Sequence, residues 1–111
     1  MRALVVDDTV AVREWIAEAL ELLGVEVQVA SSLLEAVARL DASHAFALVD
    51  MKLPDGCGLD LVPHAADLGV SVIAMSGDPD SVTDVGEAHG VSDVLAKPFD
   101  LAVLRSIVSR Y

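Results

Sequence analysis

The sequence has one cysteine, few basic residues and no long apolar run. Its cysteine, Cys57, has no partner for an internal disulfide, which is typical of the reducing cytosol and predicts a cytoplasmic protein. No apolar run approaches the roughly 20 residues that a membrane-spanning helix needs. The apolar stretch after Met1 is too short for a signal peptide. The sequence therefore predicts no association with a membrane.

Basic residues are scarce. The chain has 7 lysines and arginines and 18 acids, which gives a formal net charge of −11. Such a surface repels the phosphate backbone of nucleic acids, so direct nucleic-acid binding is not expected. It suits a basic protein partner or a bound cation. Solubility alone is the simpler explanation, but it does not account for acids placed at the ends of apolar strands.

What the chain does contain is an alternation of apolar stretches with segments of helical periodicity. Its 111 residues suit one domain over 1–111, and 54% of them are apolar, which is enough for a buried core. The predicted strands are 3–6, 25–29, 45–49, 70–75 and 94–96, and the predicted helices are about 10–23, 32–41, 58–67, 80–89 and 100–110. This order predicts a doubly wound α/β fold, with five helices on both faces of a five-stranded parallel sheet.

Reactive polar residues follow four of these strands: Asp7 with Asp8, then Asp50, Ser76 and Lys97. The carboxyl ends of parallel strands lie along one edge of a sheet, so we expect these side chains to converge. Each has a simpler explanation when taken alone, since acids cap helices, Ser before Gly forms turns, and a lone Lys is usually solvated. Their coincidence at four strand ends favours a functional site.

The chemistry of such a cluster is specific. Three crowded carboxylates repel one another, and their hard oxygen ligands favour Mg²⁺ as the cation that relieves this repulsion. A carboxylate such as Asp50 can act as a nucleophile and form an aspartyl phosphate. Mg²⁺ and Lys97 would neutralise the transferring phosphoryl oxygens, and the Ser76 hydroxyl can donate a hydrogen bond to one of them.

Four segments resemble the receiver domain of bacterial two-component response regulators: LVVDD at 4–8, LVDMKLPDGCGLDL at 48–61, MSG at 75–77 and LAKPF at 95–99. The resemblance extends over essentially the whole chain and implies a flavodoxin-like strand order, 2-1-3-4-5. It further implies a phosphorylation-controlled switch of the single-domain type. The phosphoryl donor would be a sensor histidine kinase or a histidine phosphotransfer protein, and the switch would act on a downstream protein target.

The resemblance also implies the metal ligands. Asp50 is then the phosphorylated aspartate, and Asp8 and Asp50 bind Mg²⁺ directly. Asp7 acts mainly through a water molecule, and the backbone carbonyl of Lys52 completes the protein ligands.

By the same resemblance, Ser76 is the switch hydroxyl and Lys97 the phosphate-binding lysine, followed by a cis peptide bond to proline. The family usually has Tyr or Phe where Val94 stands, so the usual aromatic relay is not expected here. The signal would then pass through Ser76, the 77–82 loop or the neighbouring helix.

Lys52 lies two residues after Asp50, and Asp78 lies two residues after Ser76. We hypothesise that Lys52 and Asp78 pair over the phosphoryl group, shield it from water and tune its lifetime. Two solvated surface charges are the simpler explanation.

Trp15 lies on the flank of the apolar stripe of the first helix, which includes Val12. Its ring can simply cover the edge of the core. The functional hypothesis is that Trp15 and Val12 dock a kinase or phosphotransfer helix, the role that the resemblance implies for this helix.

Several further functions are compatible with the sequence. The chain can be a phosphotransfer shuttle, a receiver segment of a hybrid kinase or a pseudo-receiver that is never phosphorylated. Met1 just before the first strand favours a complete protein over a segment of a kinase. A small phosphohydrolase would need a second acid near Asp50, but Met51 and Lys52 follow it. We therefore expect a binding switch and not an enzyme.

Overall fold

The computed structural model of the protein describes residues 1–77 and 90–111. Its strands in chain order are β1 (Arg2–Val6), β2 (Glu26–Ala30), β3 (Phe46–Asp50), β4 (Lys52–Leu53), β5 (Gly56–Cys57), β6 (Ser71–Ser76) and β7 (Asp93–Ala96). Five of them form a sheet in the order β2-β1-β3-β6-β7, and all four pairings are parallel. Counted within this sheet, the order is 2-1-3-4-5, so the predicted flavodoxin-like fold is confirmed. The remaining two, β4 and β5, form a short antiparallel hairpin directly after β3.

The described part of the chain contains the helices α1 (Val10–Leu22), α2 (Leu33–Arg39), α3 (Val62–Leu68) and α4 (Leu101–Val108). They correspond to four of the five predicted helices. The helix α3 begins later than predicted because a 3-10 turn, Gly58–Leu61, occupies its expected first turn. The fifth predicted helix, over about 80–89, lies outside the described residues. None of the described helices has the length and apolar composition to cross a bilayer.

The amino end of α2 is capped from two directions. Ser32 is the N-cap residue, and its hydroxyl accepts a hydrogen bond from the Glu35 N–H at 3.1 Å. The Asp55 carboxylate reaches across from the hairpin and accepts the N–H groups of Leu33 and Leu34 at 2.8 and 2.9 Å. These bonds lower the pKa of Asp55, and they attach the segment after β3 to α2.

Both faces of the sheet are covered by apolar side chains. On one face, Leu48 and Ile73 belong to a buried cluster with Ile16 of α1 and Leu104 of α4. The opposite face packs against α2 and α3 through a second cluster of aliphatic residues. Burial on both faces explains why the central strands are almost continuously apolar. It leaves the carboxyl edge of the sheet as the place where polar side chains gather.

Candidate functional site

The predicted site residues meet at the carboxyl edge of the sheet. Asp7 and Asp8 follow β1 directly, Asp50 ends β3, Ser76 ends β6 and Lys97 follows β7. All of them except the wholly buried Asp7 line one pocket of about 870 Å³, the acidic pocket. The fold therefore brings together side chains that are up to 90 positions apart in the sequence.

Lys97 bridges two of the carboxylates. Its ammonium nitrogen donates a hydrogen bond to Asp7 Oδ2 at 2.8 Å and another to Asp50 Oδ2 at 3.1 Å. Burial alone lowers the pKa of Lys97, but the hydrogen bonds and charges of Asp7 and Asp50 outweigh it and raise the pKa above its ordinary value of 10.5. The site thus contains a fixed cation that stays protonated at neutral pH.

The three acids form a set of oxygen donors. Carboxylate oxygens of Asp7, Asp8 and Asp50 lie within 4.8 Å of one another. Lys97 is hydrogen-bonded to two of these carboxylates, and the three carboxylates together carry more negative charge than this one bonded ammonium neutralises. Hard oxygen donors with excess negative charge fit a small divalent cation such as Mg²⁺.

Asp50 is contacted by the segment that follows it in the sequence. Its side chain is 14% exposed, and its Oδ1 accepts the N–H of Lys52 at 3.2 Å. A Cβ atom at Gly58 would lie 2.1 Å from the Asp50 carbonyl oxygen and 2.7 Å from Val49 Cγ1. Gly58 is therefore required for the close approach of the chain behind Asp50.

The two predicted switch positions have different surroundings. Ser76 is buried at the rim of the acidic pocket, which Asp50 and Lys97 also line. Val94 is half-buried in β7 and faces a separate groove of about 490 Å³. Asp78, the predicted partner of Lys52, lies outside the described residues. Lys52 itself is exposed and lines the acidic pocket.

A largely apolar groove of about 540 Å³ lies beside the acidic pocket, and we call it the α1 groove. It is lined by Ala11, Val12, Trp15, Ile16, Lys97, Pro98 and Phe99. The Trp15 ring is 6.0 Å from the Phe99 ring, and the residue stays 43% exposed. The Lys97-Pro98 peptide bond is cis, as the resemblance implied. Because Lys97 lines both cavities, the α1 groove and the acidic pocket are adjacent.

Two residues at the site were missed by sequence reasoning. Arg13 donates a hydrogen bond from Nη1 to the carbonyl oxygen of Asp7 at 2.9 Å. Gly58 approaches the backbone of Asp50. Both contacts are made to backbone atoms, and such contacts leave no pattern in a single sequence. The only hint was the position of Gly58 at the end of a turn-rich segment.

Comparison with known proteins gives a consistent result. The sequence model of the response regulator receiver domain matches residues 3–109. The chain is 38% identical to the DNA-binding transcriptional regulator NtrC of Azospirillum brasilense over 96% of this chain and 23% of that protein. It is 36% identical to the response regulator protein PilR of Pseudomonas aeruginosa over 97% of this chain and 25% of that protein. The chain thus spans about a quarter of the length of these two relatives.

Solved structures show the same architecture. A CheY-like response regulator receiver domain from Methylobacillus flagellatus superposes with a TM-score of 0.86 at 29% identity. The superposition covers 99% of this chain and 97% of that chain.

Proposed function

Because this chain belongs to the family of response regulator receiver domains, we propose that it is a phosphorylation-controlled signalling switch whose Asp50 accepts a phosphoryl group. The observation that carries the proposal is the position of Lys97, whose ammonium lies 3.1 Å from Asp50 and 2.8 Å from Asp7. A nucleophilic carboxylate, a fixed cation and the buried Ser76 hydroxyl face the same pocket. This combination is what phosphoryl transfer to a carboxylate requires.

In the proposed reaction, an oxygen of the Asp50 carboxylate attacks the phosphorus of a phosphohistidine donor. The P–O bond forms as the P–N bond breaks, and the leaving imidazole of the donor takes up a proton from water. Lys97 neutralises the charge on the transferring oxygens, and the Ser76 hydroxyl donates a hydrogen bond to one of them. Later attack by water releases inorganic phosphate and restores the carboxylate.

The acids of the pocket would hold Mg²⁺ during this transfer. Asp8 and Asp50 would bind it directly, and the backbone carbonyl of Lys52 would complete the protein ligands. Asp7 would act through a water molecule, because it is wholly buried, whereas Asp8 and Asp50 line the acidic pocket. When bound, Mg²⁺ supplies positive charge beside the phosphoryl oxygens.

Phosphorylation would bias two pre-existing conformations. Ser76 is the proposed relay because it faces the acidic pocket at the end of β6. Val94 is too short to swing between two large pockets as an aromatic ring can. We therefore place the start of the signal at Ser76 and not at Val94.

The α1 groove is the proposed docking surface for the phosphoryl donor. Trp15 and Val12 line it, and the exposed acids Glu14 and Glu18 lie on the same helix. Such a surface fits an amphipathic, basic helix of a sensor histidine kinase or a histidine phosphotransfer protein. Trp15→Ala should slow transfer from the donor protein and leave transfer from a small phosphodonor intact. Leu22→Ala, an exposed change on the same helix, is the control.

The output of the switch is proposed to be a protein contact in the cytoplasm. A net charge of −11 disfavours direct binding of this segment to nucleic acid, although one relative carries DNA-binding in its name. A phosphotransfer shuttle, or the receiver segment of a hybrid kinase, is the second candidate. The proposed site is the same in each case, and only the partners differ.

A phosphohydrolase and a pseudo-receiver would react differently from the proposed switch. A phosphohydrolase would turn over small phosphate esters. The proposed switch is not an enzyme, and each molecule carries one phosphoryl group at a time on Asp50. A pseudo-receiver would not react with any donor. Treatment with phosphoramidate and Mg²⁺, followed by hydroxylamine and peptide mapping, tests the proposal. Hydroxamate at Asp50 supports an acyl phosphate there, and modification of another residue or of none contradicts it.

A further inference from the structure

Asp7 is fixed at four points. Its backbone N–H donates to the Ala30 carbonyl at 3.1 Å, and its carboxylate accepts from Thr9 N–H at 2.9 Å and from Lys97 at 2.8 Å. The fourth contact is made by Arg13, whose Nη1 donates to the Asp7 carbonyl oxygen at 2.9 Å. That carbonyl belongs to the peptide unit joining Asp7 to Asp8. Arg13 therefore holds the link between two acids of the cluster.

The position of Arg13 does not favour the helix that carries it. Arg13 is the fourth residue of α1, and the helix has no acid in its first turn. A cation near the amino end of a helix is disfavoured by the helix dipole. The side chain folds back over that end to reach the loop before the helix. The contact with Asp7 accounts for an arginine at this position, whereas stabilisation of the helix does not.

We propose that Arg13 is a positioning residue for the cation site, and the inference rests on the proposed function of the acidic pocket. Asp8 is exposed, and it directly follows the carbonyl that Arg13 holds. By holding the Asp7 carbonyl, Arg13 fixes the turn that presents Asp8 toward Asp50. Without this contact, part of the binding free energy of the cation would be spent on ordering the turn.

The charge of Arg13 affects Mg²⁺ binding in the opposite direction to its positioning contact. A guanidinium near the cluster reduces the negative potential that attracts a divalent cation, so its removal on charge grounds alone should tighten Mg²⁺ binding. If positioning dominates, its removal should weaken binding. The sign of the change in Mg²⁺ affinity therefore separates the two effects.

Arg39 provides a matched control. It too donates a hydrogen bond to a backbone carbonyl, that of Val29 in β2. Both arginines lie near Glu35, whose pKa is lowered mainly by the hydrogen bond from the Ser31 hydroxyl and further by the charges of Arg39 and Arg13. Arg39→Met removes one positive charge and one carbonyl contact, as Arg13→Met does, and also an ion pair with Glu35 at 3.0 Å, but it leaves the Asp7 turn untouched.

The test is calorimetric titration of the folded proteins with MgCl₂ alone. We expect Arg13→Met to weaken Mg²⁺ binding about tenfold, Arg13→Lys to recover part of the loss, and Arg39→Met to match the wild type. Arg13→Lys keeps the charge, so it also serves if Arg13→Met does not fold. At saturating Mg²⁺ the phosphorylation rates of Arg13→Met and Arg13→Lys should return to that of the wild type.

Mg²⁺ binding by Arg13→Met that equals or exceeds wild-type binding would overturn the positioning role of Arg13. Equal binding by Arg13→Lys and the wild type would also overturn it, because the Nη1 contact with the Asp7 carbonyl would then not be needed. Failure of the wild type to bind Mg²⁺ is a different result. It would contradict the proposed cation site itself, and the role of Arg13 would fall with it.

Discussion

The ammonium nitrogen of Lys97 and the carboxylate of Asp50 lie 3.1 Å apart, although 47 positions separate them in the sequence. The same ammonium also contacts the buried Asp7. One cation thus joins the ends of three strands, β1, β3 and β7, in a partly buried setting where charge interactions are stronger than in water. Stability and chemistry of the site are therefore coupled through Lys97.

The first prediction concerns stability at high pH. Because the pKa of Lys97 is raised in the folded protein, its stabilising contribution is fully present below the ordinary value of 10.5. It is lost as the pH rises through the higher, folded-state pKa. The free energy of unfolding in urea should therefore fall as the pH rises above about 10.5, and it should fall less steeply in Lys97→Met. Parallel curves for the two proteins would contradict the coupling.

The second prediction is stabilisation by Mg²⁺. A ligand that binds only the folded protein raises the free energy of unfolding by about 2.7 kcal/mol at 100 times its Kd. Asp8→Asn should lose most of this increase because Asp8 is a proposed direct ligand. Asp67→Asn, a change to an exposed acid on α3, should keep it. Thermal unfolding with MgCl₂ or EDTA measures the difference, and equal responses of the two variants would argue against the assignment of Asp8.

The third prediction concerns Gly58. An alanine there would place its Cβ within 2.1 Å of the Asp50 carbonyl oxygen, so the backbone must move. We expect Gly58→Ala to lower the free energy of unfolding by about 3 kcal/mol and to displace Asp50. Gly77→Ala is the control because no atom of the described residues lies within 4 Å of its Cβ position. Similar unfolding free energies in urea for both variants would show that the segment has more room than the structure indicates.

The fourth prediction concerns the lifetime of the phosphorylated form. Lys52 is exposed at the rim of the acidic pocket, and its side chain is proposed to hinder water at the acyl phosphate. Lys52→Ala should shorten the lifetime several-fold, and Lys52→Arg should preserve it. Loss of the phosphoryl group after removal of the donor can be followed by mass spectrometry. An unchanged lifetime in Lys52→Ala would make the shielding hypothesis wrong.

The sequence predicted the sheet well because strands buried on both faces are apolar along their whole length. It predicted the meeting of Asp50 and Lys97 because both follow parallel strands, whose carboxyl ends share one edge. The hairpin after β3 was not predicted, since strands of two residues are too short to show a period. The contact of Arg13 with the Asp7 carbonyl was missed because it depends on the three-dimensional path of the loop.

The most direct test of the account is the mass of the intact protein after incubation with Mg²⁺ and a small phosphodonor. The wild type should gain the mass of one phosphoryl group, whereas Asp50→Asn should gain none. The same incubation with EDTA in place of Mg²⁺ should leave the wild type unmodified. A wild type that gains nothing with Mg²⁺, or an Asp50→Asn variant that gains as much as the wild type, would contradict the assignment of Asp50 as the phosphoryl acceptor.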